Sequence, residues 1–201
     1  KSKNIENRLL GIRTAGLLIE LVPEAKKNLF ISNLFTLLKD RDPNIQNAAF
    51  DSLITLENNE KHGKKGIEIL LKSNNDGLKI IAVRLIAKWK LGSFIKKLSL
   101  FTSDKNKTVQ LEASIASASI SGEKDLYRIF NFLNEKDPHL RRRAVESLFW
   151  FSYFPSLLIN PLKIALQDED LEVNLIATWV CKKLGPHAVA LKEVLQKKLN
   201  N

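Results

Sequence analysis

The chain has 201 residues, a formal net charge of +10 and one cysteine, Cys181. A hydrophobic fraction of 44% and a charged fraction of 27% are ordinary for a folded protein, and no apolar run approaches the ~20 residues of a membrane span. The single cysteine excludes an intrachain disulfide and favours a reducing compartment, so we expect a cytoplasmic protein. Because the sequence starts at Lys1 without a Met, we expect a segment of a longer protein, and export stays open.

Six segments align on an apolar residue that opens a helix and a small residue four positions later. The small residues are 33, 33, 31, 31 and 33 positions apart, and a polar residue follows each apolar opener. An Asp, Asn or Glu turn precedes all but the first, and such turns accept hydrogen bonds from the free amides of a helix start. The register predicts six helices, which we call the opener helices. Their pairs are Ile12/Gly16, Ile45/Ala49, Leu78/Ala82, Val109/Ala113, Leu140/Ala144 and Val173/Ala177.

A second set of amphipathic helices alternates with the first, and we call these the intervening helices. We predict them at residues 23–39, 63–72, 93–102, 123–134, 156–167 and 187–199, after an initial opener helix at 5–21. Gly or Pro marks most connections, and Pro161 either kinks its helix or delays its start. No strand alternation persists, so the sequence predicts an all-α chain of about twelve helices paired as hairpins.

Three segments resemble the HEAT repeat family, in the short bacterial form also seen in phycobilisome-lyase-type proteins. They are DRDPNIQNAA at 40–49, DPHLRRRAVESL at 137–148 and LGPHAV at 184–189. The resemblance covers nearly all of the chain and is strongest in the fourth and fifth units. It implies a right-handed α-α superhelix, a solenoid of about six hairpins in one array over 1–201. It also implies a ladder in which the residue after each opener, such as Arg141, bonds the turn Asp of an adjacent unit.

Residues that depart from the repeat are candidates for a binding surface. Arg142 and Arg143 have no basic equivalent in the other units, so they are candidates to bind phosphate or carboxylate, or else lie on a solvated helix face. The cluster of aromatics at 149–154 is denser than one helix face can bury. We expect two or three of these rings in the core, and Trp150 and Tyr153 are the candidates to project as binding anchors. Core or inter-repeat filling is the commoner role for such rings.

The positive charge is concentrated in residues 61–97, which hold ten basic and two acidic side chains. Such a segment suits nucleic acid, an anionic membrane surface or an acidic partner, although a solvated lysine-rich face is the commoner explanation. Arg84 and Lys88 lie one turn apart on a predicted opener helix, and Trp89 and Phe94 occupy core positions. The remaining members of this basic patch are Lys61, Lys64, Lys65, Lys79, Lys96 and Lys97.

Catalytic patterns are sparse. The three histidines lie a repeat or more apart without metal-ligand spacing, and we expect neither a catalytic residue nor a metal or other cofactor. The favoured hypothesis is a non-catalytic scaffold for a protein or peptide, bound through Arg84, Lys88, Arg142, Arg143, Trp150 and Tyr153. The alternative is nucleic-acid binding through 61–97. A third is a DNA glycosylase like some HEAT-like proteins, with Glu112 or Glu146 beside Trp150 or Trp179.

Overall fold

A computed structural model describes residues 4–56 and 60–199 of the chain. In these ranges every regular element is helical. The chain divides into two compact units, residues 1–120 and residues 121–201, which we call unit 1 and unit 2. No helix in the described ranges is both long enough and apolar enough to cross a membrane.

Unit 1 is built from alternating opener and intervening helices. The opener helices α1 and α3 pack on each other, as do α3 and α5, and the intervening helices α2 and α4 also pack side by side. Consecutive helices contact each other as well, α2 with α3 and α4 with α5. The helices are α1 (Ile5–Leu18), α2 (Glu24–Leu37), α3 (Pro43–Ile54), α4 (Glu60–Leu71), α5 (Asp76–Lys88), α6 (Ile95–Phe101) and α7 (Lys107–Ser121), with 3-10 turns at Ile19–Leu21 and Gly92–Phe94.

Unit 2 continues the alternation. The opener helices pack on each other, and the long intervening helix packs on both of them. The helices are α8 (Leu126–Phe130), α9 (Pro138–Leu148), α10 (Pro155–Leu166), α11 (Leu171–Leu184) and α12 (Lys192–Leu199). The 3-10 turns are Gly122–Asp125, Asn131–Asn134, Phe149–Phe151 and Gly185–Leu191.

The predicted helix starts are confirmed, and one repeated sequence position accounts for them. The residue three before each opener caps its helix from α3 onward, because its side-chain oxygen accepts a hydrogen bond from a backbone amide of the first turn. The caps are Asp42, Asn75, Asn106, Asp137 and Asp170. Pro43 and Pro138 occupy the first helical position, where a missing amide costs no hydrogen bond.

The small residue four positions after the opener is buried in every unit. At Gly16 the need for a small residue is sharpest. A Cβ atom there would lie 2.6 Å from Ser52 Oγ and 2.7 Å from Ser52 Cβ, closer than real side chains approach. Helix α1 therefore contacts α3 through its backbone at this point, as the repeat alignment predicts.

Four helix predictions need correction. The intervening helix predicted at 123–134 is α-helical only through the five residues of α8, and both flanks tighten to 3-10 turns, as helix ends commonly do. The helix predicted at 187–199 becomes α-helical only at Lys192. Helix α10 begins at Pro155, so Pro161 lies inside it and a late start is wrong. The described ranges hold ten helices of eight or more residues, so the predicted number of about twelve helices is too high.

Candidate functional site

The ladder implied by the repeat is confirmed for Arg141 and Lys79. Arg141 Nε and Nη2 donate to the two carboxylate oxygens of Asp168, at 2.8 and 2.9 Å, while Nη1 donates to the carbonyl of Glu135 in its own turn. Lys79 Nζ lies 2.9 Å from an oxygen of Asp76 in its own turn and 3.4 Å from one of Asp104 in the next. These hydrogen bonds raise the pKa values of both cations, so each residue is a structural tie between consecutive turns.

The first opener helix forms its tie from a different position. Arg13 is exposed, and Arg8, almost one and a half turns earlier, donates to Asp40 instead. The backbone amide of Asp42 and the Arg8 guanidinium together lower the pKa of Asp40. The first repeat therefore keeps the tie to the next turn, although its sequence departs from the repeat register.

The amide residues at the same position do not reach the next turn. Gln46, Gln110 and Asn174 donate instead to backbone carbonyls at the turn that precedes their own helix. In the turn that follows the Gln46 helix, Ser73 stands at the position that other turns fill with Asp. Gln46 replaces the cation and Ser73 replaces the carboxylate, so neither charged partner of the tie is present here. A cleft of about 340 Å³ opens at this place, lined by Leu38, Lys39, Gln46, Ser73, Asn75, Gly77, Leu78 and Ile81.

Arg142 is tied to the adjacent unit of the repeat. Its Nε and Nη2 donate to the two carboxylate oxygens of Asp170 at 3.1 and 2.8 Å, and its Nη1 contacts Glu172. The hydrogen bonds from Arg142 lower the pKa of Asp170 to about 2, helped by the amide that Asp170 caps at Val173. Two donors of the Arg142 guanidinium already bind the Asp170 carboxylate. Arg142 therefore forms an ion pair within the fold and is not a vacant anion-binding site.

Arg143 lies beside the aromatic cluster. Its Nη1 is 3.0 Å from Glu146 Oε2, and its guanidinium carbon is 5.2 Å from the centre of the Trp150 ring, a cation–π distance. Trp150 lies in the 3-10 turn that follows α9 and is 54% exposed. Arg143 thus orients a tryptophan whose ring still faces solvent.

The aromatic cluster divides between core and surface. Phe151 is buried and Phe154 is half-buried, whereas Phe149 and Tyr153 are exposed along with Trp150. The Tyr153 ring packs against Phe154, with ring centres 4.5 Å apart and the ring planes inclined by 51°. The predicted exposure of Trp150 and Tyr153 agrees with the structure, and the exposure of Phe149 is additional.

Helix α11 adds a second exposed stripe that the sequence reasoning above does not include in a protein-binding surface. Trp179 is 67% exposed, Leu175 is exposed one turn earlier, and Lys183 lies one turn later with its Nζ 5.3 Å from the Phe149 ring centre. Helix α11 packs on the Phe149–Phe151 turn. We call Phe149, Trp150, Tyr153, Leu175 and Trp179 the aromatic surface.

A sequence signal for this stripe exists. The buried residues of α11 form one helical face, Val173, Ala177, Val180, Cys181 and Leu184. Leu171, Leu175 and Trp179 recur every four residues outside that face, so they form a second apolar stripe that one core cannot cover. Burial of Cys181 raises the pKa of its thiol to about 11, as its predicted core position requires.

The predicted pair Arg84 and Lys88 separates in the structure. Arg84 Nη2 lies 2.5 Å from Glu112 Oε1, and Glu112 is 2% exposed on α7. Arg84 therefore neutralises a buried carboxylate, because an uncompensated buried charge would be costly. Lys88 is exposed at the end of α5.

The basic patch is partly neutralised. Lys79 is enclosed by its two carboxylates, Lys61 Nζ lies 3.8 Å from Glu24 Oε1, and Lys97 Nζ lies 2.6 Å from Glu68 Oε1. His62 joins this network, since its Nε2 is 2.7 Å from the same Glu24 oxygen and this contact lowers the pKa of Glu24. The remaining lysines of 61–97 are exposed: Lys64, Lys65, Lys72, Lys88, Lys90 and Lys96.

The residues considered for catalysis have structural contacts. Glu112 is bound by Arg84 and Glu146 by Arg143, so neither candidate carboxylate of the glycosylase hypothesis is held apart from a cation. Across residues 4–56 and 60–199, no three His, Cys, Asp or Glu side chains come close enough together to hold a metal ion.

Comparison with known proteins adds little. No protein-family model matches the chain, and no curated protein matches it. Among solved structures, the crystal structure of an engineered protein resembles it with a TM-score of 0.48 at 16% sequence identity. That alignment covers 93% of this chain and 94% of the other.

Proposed function

We propose that the chain is a HEAT-like α-solenoid that acts as a non-catalytic scaffold for another protein or a peptide. The repeated cap three residues before each opener, the buried small residue and the ties between turns support a repeat array. In this proposal the hairpins continue as one right-handed superhelix, and the opener helices line its concave face. The buried thiol of Cys181 suits a reducing, cytoplasmic setting.

The aromatic surface of unit 2 carries the proposal. Large aromatic side chains bury most of their area when they can, so the four exposed rings of this surface are unusual. Tryptophan, tyrosine and arginine are also the residue types that dominate binding energy at protein interfaces. Arg143 and the exposed Lys183 border these rings. The partner segment we infer presents apolar anchors to the rings and acidic groups to these cations.

A peptide-display selection on the purified chain tests this function. The selected peptides should contain apolar and acidic residues. Changing Trp150 or Trp179 to Ala should weaken their binding about 30-fold or more, which corresponds to about 2 kcal/mol for a central anchor. Tyr127→Ala is the matched control, since Tyr127 is an exposed aromatic of the same unit on α8. The unfolding midpoint of each variant should stay near that of the original chain because these rings are exposed.

Two results would contradict the proposal. If the selected peptides bind the Trp150 and Trp179 variants as tightly as the original chain, the aromatic surface is not the binding site. If the Tyr127 variant loses as much affinity as the others, the effect is not local to that surface.

Nucleic-acid binding stays a second proposal, supported by the exposed lysines of 61–97. Binding that weakens steeply with salt, measured by mobility shift with duplex and single-stranded DNA, is its test. The DNA measurements of the vesicle experiment below serve that purpose. The glycosylase alternative predicts base release from alkylated DNA, which a single incubation measures.

A further inference from the structure

Two intervening helices of unit 1 expose both lysines and aliphatic side chains. Helix α4 exposes Lys65 and, one turn later, Ile69, which is 56% exposed. Helix α6 exposes Lys96 and, one turn later, Leu100, which is 74% exposed. Apolar side chains of this size in water need an explanation when they repeat in the same surroundings.

The two helices are neighbours in equivalent register. Lys97 Nζ on α6 lies 2.6 Å from Glu68 Oε1 on α4. Ile69 and Leu100 are 31 residues apart, as are Lys65 and Lys96, and the same 31-residue step separates the small residues of α5 and α7. Each aliphatic side chain therefore has the same position on its own helix. We call Lys64, Lys65, Ile69, Lys72, Lys96 and Leu100 the lysine–aliphatic surface.

The surface carries a net positive charge. Its acidic neighbour Glu68 is bound to Lys97, and this hydrogen bond lowers the pKa of Glu68, helped by the charges of Lys64 and Lys72, so the carboxylate is ionised. Helix α6 contains no acidic residue. Because Lys97 balances the charge of Glu68, the four lysines of the surface leave an excess of positive charge for an external anion.

We propose that the lysine–aliphatic surface docks on an anionic phospholipid bilayer. Lysines attract the negative headgroups, and Ile69 and Leu100 enter the boundary between headgroups and acyl chains. A fluid lipid surface accommodates projecting side chains without a preformed groove. This inference concerns unit 1 and does not depend on the aromatic surface of unit 2.

The composition of the surface favours lipid over other anionic partners. Single-stranded nucleic acid needs exposed rings for stacking, but Trp89 and Phe94, the aromatics of this segment, are buried. Arginine is the preferred residue for nucleic-acid phosphates and is enriched at protein interfaces, where lysine is depleted. Arg84 is the arginine of residues 61–97, and it is bound to Glu112.

Vesicle co-sedimentation with the 201-residue chain tests the proposal. The probes are phosphatidylcholine vesicles and vesicles in which about 30% of the lipid is phosphatidylserine, each at low and at physiological salt. We expect binding to the anionic vesicles only. The Lys65→Glu/Lys96→Glu variant should lose at least about tenfold in affinity. The Lys192→Glu/Lys197→Glu variant changes the net charge equally on exposed residues of α12, and it should bind as the original chain does.

A variant that lacks the two exposed aliphatic side chains distinguishes lipid binding from nucleic-acid binding. Ile69→Ser/Leu100→Ser should lower affinity for anionic vesicles by about tenfold or more while leaving any binding to duplex DNA unchanged. Leu10→Ser/Leu17→Ser is the matched control, because both leucines are exposed on α1. Circular dichroism confirms that each variant is folded.

Three outcomes would overturn the proposal. One is anionic-vesicle binding that does not depend on Ile69 and Leu100. Another is tighter binding to DNA than to vesicles at equal salt, with the DNA binding lost only in the Lys65→Glu/Lys96→Glu variant. This result would assign the surface to nucleic acid. The third is no binding to anionic vesicles at low salt. Normal vesicle binding by Trp150→Ala separates this inference from the scaffold proposal.

Discussion

Replacement of Gly16 by alanine tests the packing of the first repeat, where the sequence register is weakest. The added methyl group would lie 2.6 Å from Ser52 Oγ, 2.7 Å from Ser52 Cβ and 3.1 Å from Ser52 Cα. Neither the short serine side chain nor the backbone of α3 can move away cheaply. Gly11 lies in the same helix, is exposed, and has nothing within 4 Å of the position of an added Cβ. Gly11→Ala is therefore a matched control.

Both substitutions gain the helix propensity of alanine, but only Gly16→Ala crowds a neighbouring side chain. Alanine in a helix interior is about 1 kcal/mol more favourable than glycine, so Gly11→Ala should raise the free energy of unfolding by up to about 1 kcal/mol. Gly16→Ala gains the same propensity but overpacks the contact, which costs about 1–3 kcal/mol. It also disturbs the hydrogen bond that Ser52 Oγ donates to the Ile12 carbonyl at 3.2 Å. The difference between the variants isolates this packing cost.

The assay must report on unit 1. Trp89 is buried there, and its indole nitrogen donates to the Leu56 carbonyl at 2.9 Å, whereas Trp150 and Trp179 lie in unit 2. In a background where the latter two are phenylalanine, tryptophan fluorescence during urea unfolding follows unit 1 alone. Gly16→Ala should unfold at lower urea than Gly11→Ala. Equal midpoints for the two variants would refute the contact between α1 and α3 at Gly16 and the repeat alignment of the first unit.

Three further predictions rest on single contacts. Asp170→Asn keeps the helix cap but loses the pair with Arg142. The folded pKa of Asp170 is about 2 and its unfolded pKa about 4. The contribution of this carboxylate to the free energy of unfolding is therefore present above about pH 4 and is lost toward pH 2. The variant's stability, from urea unfolding, should therefore fall less over that interval, and an equal fall would contradict this. Gln46→Arg with Ser73→Asp should stabilise the chain by up to about 1 kcal/mol, since Ser73 Oγ already accepts from the Asn75 amide as the turn aspartates do in other units. Either change alone should not stabilise it. Cys181 should react with a thiol reagent at pH 8 at least about a hundredfold more slowly in the folded chain than in urea, and equal rates would rule out its burial.

The helix starts and the repeat period were predictable because they depend on neighbours in sequence. A cap such as Asp137 or Asp170 bonds amides only two or three residues away, and Pro138 acts within its own turn. The exceptions are the ends of intervening helices. Residues 123–134 have a helical pattern, yet only Leu126–Phe130 keeps α-helical hydrogen bonding.

The candidate site was predictable only in part. The exposure of Trp150 and Tyr153 followed from counting more aromatics than one face can bury. The partners of Arg142 and Arg84 did not, because Asp170 and Glu112 are 28 residues further along the chain in each case. Arg142 stood out in the sequence as a departure from the repeat and Arg84 as part of the basic segment, but the structure pairs them with the cap Asp170 and with the buried Glu112.

The sequence by itself determined that the chain is helical, where its opener helices begin and which small residues lie between them. These properties follow from local hydrogen bonding and from a hydrophobic period that one helix imposes. Only the tertiary structure decided which charges are free. Arg142, Arg84 and Lys79 are neutralised by carboxylates from adjacent units, while Lys65 and Lys96 remain exposed. The physical reason is that ion pairing depends on which helices pack together, and that is not encoded within any single repeat.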